Sequence, residues 1–479
     1  MRARQEHGLP VVVAGAGLAG LAAGAAAAQA GARVIILESG VVGGRARTEA
    51  RDGFRFNHGP HALFRAGPGR RVLSRLGIKP AGHWPPLWGA QALIAGCPQR
   101  FPVAQAGLVA ARVAAARPAR WAGASAAEWI ESLRLRGDAA MLAEAGVRLT
   151  TYVADLGRLP ASLAITQMRT AVRGVSYLDR GWEQLTLALQ ARAAADGAQI
   201  RQHAQVEHVA GKPGAWEVHT GSEVISAAAV VVAVGRPAAA GRLLPPQPAW
   251  QNLGPPVTAA CLDLGLRHPG TRFVLGIDDP LYLSPHAPPG DLAPPGCGLV
   301  HVMRYGATSA KGDREQLWTL ATAVGVRRAD VIVERFLPRM EVVTCLPAPR
   351  QGLAERPPVV LPLSPGLFLA GDWVGPEGWL SDGSLASGER AGLLAAEAVC
   401  ISGAATATSR SRRREACPRA DVLLRRPGCT RRRQPTGQAD AADMFTRGIS
   451  PATPRSRVEK PAVAPSAWPQ GAASEVRDE

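Results

Sequence analysis

Three clusters of residues have the types and spacing for chemistry. The first is Gly15-Ala16-Gly17-Leu18-Ala19-Gly20, followed by Gly24 and then by Glu38 and Ser39. It lies between two short apolar runs, Val11-Val12-Val13 and Val34-Ile35-Ile36-Leu37, that read as buried strands. Gly15 permits a tight turn out of the first strand, Gly17 lets the backbone approach a pyrophosphate, and Gly20 with Gly24 lets the following helix press onto the sheet. That helix, with Leu18 and Ala19 in its first turn, presents free N–H groups and a positive dipole end to phosphates. Glu38 can accept hydrogen bonds from ribose hydroxyls, and its charge repels the extra phosphate of NADP. Glycine-rich turns produce this pattern by chance, so the strand before, the helix after and the acid beyond are what make it a nucleotide site.

The second cluster is Gly43-Gly44-Arg45-Ala46-Arg47-Thr48 with Phe56-Asn57-His58-Gly59-Pro60-His61. The Arg45 guanidinium can fork onto phosphate oxygens, or it can sit on a solvated loop. His61 can serve as a proton donor or polar anchor, or as a structural histidine. The third cluster is Gly371-Asp372-Trp373 with Trp379 and Gly383-Ser384-Leu385, where an apolar run, Leu367-Phe368-Leu369, precedes a second helical pattern.

These residues need a scaffold, and the chain supplies the pattern of one. Residues 9–84 read as a βαβ unit and a Gly- and Arg-rich loop, and residues 85–174 as Ala-, Leu- and Arg-rich helices suited to a cap. A helix over 182–195 leads to alternating segments at 199–209, 215–220 and 223–226, a small β-meander, and Val230 to Val234 resumes the buried-strand character. Strands are expected at 257–266, 272–275 and 299–304. The fold class is therefore α/β: a Rossmann-like domain of parallel sheet plus meander from 9–84, 175–240 and 355–401, and a discontinuous mixed α+β substrate domain from 85–174 and 241–354. Residues 404–479 lack hydrophobic periodicity and are expected to be a disordered basic tail.

Composition narrows the partners. The net charge of +17 would suggest polyanions, but many of the cations are arginines after residue 404, without interleaved aromatics to stack bases, so a nucleic-acid function is not expected. Seven scattered cysteines, never spaced as CxxC, argue against a disulfide framework or metal site and for a reducing cytoplasm. Residues 9–32 imitate a signal peptide or spanning helix, yet their glycine spacing explains them as the start of a parallel sheet. Arg112, Arg117 and Arg120 beside the apolar faces of 101–121 suggest peripheral membrane contact, or an ordinary cap helix.

Taken together, the motifs resemble the flavin-containing amine oxidase and phytoene desaturase superfamily, over roughly residues 9–401. The resemblance implies FAD. Gly44 and Arg45 match the segment that contacts its phosphates, Gly59, Pro60 and His61 the segment near the flavin, and Val206 the backbone contact to adenine. It places Gly371 at a strand end and Asp372 at the ribityl or pyrophosphate region. The helix of Gly383, Ser384 and Leu385 then points its N–H groups at the pyrimidine edge of the flavin. No cysteine stands where some amine oxidases attach FAD, which implies non-covalent binding, and of the paired aromatics that cage an amine Trp379 matches at most one. Gly174 to Trp182 followed by a helix is closer to the phytoene-desaturase-like members. The expected activity is hydride transfer between an apolar or amphipathic substrate and flavin N5, first as C–C desaturation or saturation. The alternatives are amine or protoporphyrinogen-type oxidation, and a non-catalytic binding protein on a flavin fold. His61 and Trp379 are the catalytic candidates, and no residue is a secure base.

Overall fold

The computed structural model describes residues 8–407 apart from 246, 248, 249, 251, 252 and 363, and the expected tail from 408 onward lies outside the described residues. Elements are numbered along the chain. The first layer is a five-stranded parallel sheet ordered β10-β2-β1-β14-β20, made of β1 (Val11–Ala14), β2 (Val34–Leu37), β10 (Gln199–Arg201), β14 (Ala229–Val232) and β20 (Leu367–Leu369). Its three central strands are Val-, Ile- and Ala-rich and buried along their whole length, as a sheet covered on both faces requires. Val11, Val13, Val34 and Ile36 face α1 (Leu18–Gln29), α7 (Glu183–Ala195) and α10 (Ser381–Ala407). Val12, Ala14, Ile35 and Leu37 face α8 (Pro237–Leu243) and an antiparallel meander of β11 (Val206–Lys212), β12 (Ala215–Thr220) and β13 (Val224–Ala227).

α1 and α10 approach closely because their contact is built of small residues. A Cβ on Gly388 would collide with the Ala19 carbonyl, and one on Gly392 with the Ala23 carbonyl. This packing draws the first turn of α1 and the first turn of α10 to neighbouring edges of the sheet, where the site forms.

The second layer is a seven-stranded sheet ordered β19-β15-β18-β17-β16-β7-β8. Its strands are β7 (Gln91–Ile94), β8 (Cys97–Arg100), β15 (Val257–Leu266), β16 (Val274–Gly276), β17 (Leu281–Ala287), β18 (Gly298–Tyr305) and β19 (Val331–Val343). Along β15 the side chains alternate: Val257, Ala259 and Cys261 face the cap helices α3 (Val103–Ala115), α4 (Ala126–Ser132), α5 (Asp138–Thr151) and α6 (Ala161–Ala171). Ala260, Leu262 and Leu264 face α9 (Ala310–Ala323). Smaller pieces complete the chain: the hairpin of β3 (Thr48–Arg51) and β4 (Phe54–Asn57), the helix α2 (Pro68–Arg75), and a sheet of β5 (Leu63–Phe64), β9 (Val175–Leu178) and β6 (Gly82–His83).

Several local expectations are corrected. The stretch expected to be wholly helical contains the β7–β8 hairpin, which extends the second sheet because Gln91 pairs with both Arg100 and Val274. The segment 199–209 is two strands, β10 joining the parallel sheet through Ile36 and β11 opening the meander. On α3, Val109 and Val113 are buried inside the cap, while Val103 and Leu108 are exposed. Among the described residues no helix is long and apolar enough to cross a membrane.

Candidate cofactor cavity and active site

A cavity of about 1510 Å³ runs from the first βαβ turn to the cap helices. At its nucleotide end the chain leaves β1 through Gly15, whose φ of +100° favours glycine and whose missing Cβ leaves room for the Ala233 carbonyl. Gly17 begins α1 with no capping side chain, no acid follows in the first turn, and the space where its Cβ would lie is open. The first N–H groups of α1 are thus left for a ligand, and a phosphate fits that donor set. Gly44, at φ +53°, closes on Gly17 from the other side, with 3.3 Å between its Cβ position and the Gly17 Cα. The Glu38 carboxylate accepts hydrogen bonds from the Ala16 N–H at 2.7 Å and the Gly40 N–H at 3.1 Å, which fix it at the wall beside Ser39. Leu18, Ala19 and Val206 line the same end.

Halfway along, the Arg45 guanidinium forms an ion pair with Asp372 at 2.8 Å and reaches Thr344 Oγ1 and the Val342 carbonyl. Thr344 donates to Asp372 from its N–H at 2.9 Å and from its hydroxyl at 2.7 Å. Burial alone would raise the Asp372 carboxyl, but Arg45 and these donors hold it below the usual carboxylate range. Asp372 is therefore a buried anion with its partners in place. Arg45 is exposed only in part, and both residues line the cavity. Next to them the Ser387 hydroxyl accepts from the Gly371 N–H at 3.0 Å, pinning the end of β20 to the first turns of α10. Leu380, Ser381 and Ser384 bring the start of α10 to the wall.

The far end is an aromatic chamber that includes Phe64, Tyr152, Tyr177, Trp182 and Tyr282. His61 lies in its wall, 4.9 Å from the Trp182 ring. Burial pushes this imidazole down to about 4, against the opposing effect of the Gly59 carbonyl. Its Nδ1 is 2.9 Å from that carbonyl, which can only accept, so Nδ1 carries the proton and Nε2 keeps a lone pair. Near neutral pH His61 is an acceptor on Nε2, which fits a polar anchor better than a proton donor. His286, which the sequence did not single out, also lines the chamber, stacked on Tyr177 at 3.8 Å. Burial holds it well below the usual histidine range.

Of the sequence-predicted residues, Gly15, Gly17, Leu18, Ala19, Glu38, Ser39, Gly44, Arg45, Pro60, His61, Val206, Gly371, Asp372 and Ser384 meet on this one cavity. Gly20, Gly59, Gly383 and Leu385 do not line it. They act from behind: a Cβ on Gly20 would strike the Gly15 carbonyl, and one on Gly59 would strike Met340, while Leu385 is buried in the core. Trp379 is corrected. It is 1% exposed, donates its indole N–H to the Thr151 carbonyl at 2.9 Å, and lines a separate pocket. It does not reach the cavity, and its one donor is already used.

Behind the chamber wall, Cys261, Asp263 and His301 bring ligand-type atoms within 4.8 Å of one another. Asp263 Oδ1 accepts from His301 Nδ1 at 2.5 Å and Cys261 Sγ at 3.0 Å, and Oδ2 accepts from Arg335 Nε at 2.9 Å and Nη2 at 2.6 Å. Arg335 thus already supplies the cation that balances Asp263, and the cluster is a buried ion-pair network. Near Asp372, the buried Cys345 thiol is pushed up to about 12, chiefly by burial, which leaves it a poor nucleophile.

Fold and site together define an α/β protein with a Rossmann-like parallel-sheet domain, and the comparisons agree. Residues 13–76 match the family described as an NAD(P)-binding Rossmann-like domain. The whole fold is similar to an oxidoreductase from Methanosarcina mazei, at 20% identity and TM-score 0.66, covering 80% of this chain and 99% of that one. It is similar to putrescine oxidase bound to putrescine, at 16% identity and TM-score 0.61 over 80% and 98% of the two chains. It is likewise similar to cyclohexylamine oxidase from Brevibacterium oxydans, at 16% and 0.60 over 83% and 100%. No curated protein sequence matches the chain. At these identities the likeness is one of fold, and the Rossmann-like parallel sheet with meander and mixed second domain expected from the sequence is the fold found.

Proposed function

We propose that this chain is an FAD-dependent oxidoreductase acting on an apolar or amphipathic organic molecule. The observation that carries the reading is the continuity of one cavity from the uncapped N-terminus of α1, past the ion pair of half-exposed Arg45 with buried Asp372, into an aromatic chamber. At about 1510 Å³ it exceeds the roughly 300–1,000 Å³ of ordinary ligand pockets, as a site for a dinucleotide plus a substrate must.

The residues present fit FAD. The first turn of α1 with Gly17 and Gly44 would hold the pyrophosphate, Glu38 the adenosine ribose and the Val206 backbone the adenine. Arg45 and Asp372 would meet the ribityl and phosphate region, and the start of α10 with Ser381 and Ser384 the pyrimidine edge. Binding is non-covalent in this reading. Bound FAD supplies a two-electron centre that exchanges hydride with an organic substrate. The chain contributes a dry aromatic wall that orients the substrate, His61 Nε2 as a fixed acceptor, and helix N–H groups that favour negative charge at the far edge of the cofactor.

C–C desaturation or saturation is the first choice. The carboxylates on the cavity wall, Glu38, Glu207, Glu341 and Asp372, belong to its cofactor half, while the chamber offers histidine, tyrosine and tryptophan. An ammonium group would find no counter-charge there, which favours a neutral substrate. Oxidation of an amine is the second reading, supported by the fold shared with putrescine and cyclohexylamine oxidases. Mixing the yellow protein anaerobically with isoprenoid polyenes and with primary amines separates them. Bleaching by a polyene, or reoxidation of dithionite-reduced protein by one, is expected. Bleaching by amines alone, with peroxide released in air, would establish the second reading, and a flavin that dithionite fails to reduce would indicate a binding protein.

A further inference from the structure

Among the described residues the exposed tryptophans lie together in one loop. Trp88 is 97% exposed, Trp84 and Leu87 are each 57% exposed, and all three lie in one loop, Trp84-Pro85-Pro86-Leu87-Trp88-Gly89. Val172, at the end of α6, is 66% exposed. Trp84, Leu87 and Val172 also line the cavity, so this apolar surface is the rim of the chamber. Two adjacent prolines, and hydrogen bonds from the Leu87 N–H to the Pro85 carbonyl and from the Ala90 N–H to the Leu87 carbonyl, hold the loop in shape. The Gln91 N–H then ties it to the Phe273 carbonyl of the second sheet. Exposed tryptophan on a preformed loop is costly in water unless something covers it.

Along the chain on either side of the loop the charge has one sign. Between Asp52 and Glu128 the chain has no Asp or Glu and has ten Lys and Arg residues. The Arg65 guanidinium stacks 4.4 Å over the Trp84 ring, and the Arg272 side chain lies 3.4 Å from the Cβ position of Gly89. Two carboxylates lie nearby, Asp179, whose Oδ1 is 3.3 Å from His83 Nε2, and Asp278, which accepts the Ala95 N–H at 2.6 Å.

We infer that the loop 84–89 docks on an anionic lipid bilayer, with Trp84, Leu87 and Trp88 entering the interface and Arg65 and Arg272 pairing with lipid phosphates. Indole rings favour the headgroup boundary, and arginines beside them add attraction to anionic lipid. Docked in this way, the rim opens the chamber onto the acyl region, a route for an apolar molecule that avoids water. The inference rests on the surface alone and holds whatever reaction the chamber performs.

The test is co-sedimentation of the full chain with vesicles of phosphatidylcholine, alone or with phosphatidylglycerol. The arginine-rich sequence after residue 404 also attracts anionic lipid, so the deciding comparison is made at about 0.5 M salt, where that attraction is screened. The expected result is that the chain pellets with the mixed vesicles, and that Leu87→Ser/Trp88→Ser lowers its partition at least about tenfold, as loss of two inserted apolar side chains requires. The same visible and circular dichroism spectra in both proteins would show that the fold is kept. As a second readout, lipids brominated in the acyl chain should quench the tryptophan emission of the unaltered protein. Equal partition of the two proteins, no pelleting, or no quenching overturns the inference. So does a dimer in solution that the double substitution converts to monomer, because the patch would then be covered by a second copy.

Discussion

Arg45, in the loop that follows β2, and Asp372, just past the end of β20, form a 2.8 Å ion pair on the wall of the cavity. The pair joins the two sequence-distant halves of the site. Arg45→Gln leaves a buried carboxylate with its Thr344 donors and the more distant Arg356 but without its paired guanidinium, and because Arg45 is partly exposed the expected cost is roughly 1–2 kcal/mol. Thermal unfolding checks this, together with the ratio of flavin to protein absorbance, which should fall. The folded-state carboxyl of Asp372 lies below its unfolded value, so the stability it contributes is present above the unfolded value near 3.8 and is lost as pH falls through the folded one. The variant should lose part of that acid-side slope.

Asp382 behaves in the opposite sense. It is buried in the first turn of α10, accepts the Gly69 N–H at 3.0 Å, and is pushed up to about 7 by burial. A raised folded-state carboxyl contributes stability below its unfolded value near 3.8, which drains away as pH rises to about 7. Asp382→Asn keeps the acceptor and removes the titration. Denaturant unfolding at pH 8 should show the variant more stable by about 1–3 kcal/mol, with the difference vanishing below pH 4.

His61 gives a third slope. Its folded-state value of about 4 lies below the ordinary 6.5, so the unfolded chain binds the proton first and stability falls as pH drops from about 6.5 to about 4. His61→Gln should flatten this window by about 1–3 kcal/mol, as read from urea midpoints at pH 7 and pH 4.5. An unchanged profile would mean that the imidazole is not desolvated.

The contact of α1 with α10 predicts a violation of helix propensity. Alanine normally gains about 1 kcal/mol over glycine inside a helix. Gly392→Ala should instead destabilise by at least about 2 kcal/mol, because its Cβ meets the Ala23 carbonyl and the two helices must separate. A raised melting temperature would contradict the packing described.

The parts of the fold that were legible in the sequence are those governed by local chemistry. Gly15, Gly17 and Glu38 sit within one βαβ unit whose strands are uninterrupted apolar runs, and the structure brings all three to one cavity. Illegible parts follow non-local rules. β19 carries Pro338 in its middle, which argues against a strand, yet β19 is the edge of its sheet and pairs only with β15, through several bulges, so the proline is tolerated. β17 contains Pro285 beside a register shift and is buried throughout, so it shows no alternation. Trp379 looked like a substrate-facing aromatic because nothing local reveals that the Thr151 carbonyl, on a cap helix, takes its N–H. The Asp263–His301–Arg335 network was invisible for the same reason, since its members come from three strands paired only in the folded sheet.

The central claim is that the cavity holds FAD non-covalently, and it is tested most directly by the absorption spectrum of the purified protein before and after acid precipitation. The account predicts bands at about 370 and about 450 nm that pass entirely into the supernatant, with a Glu38→Ala variant binding added FAD at least about tenfold more weakly. A colourless protein that takes up no added FAD, or a flavin that stays with the precipitate, would contradict it.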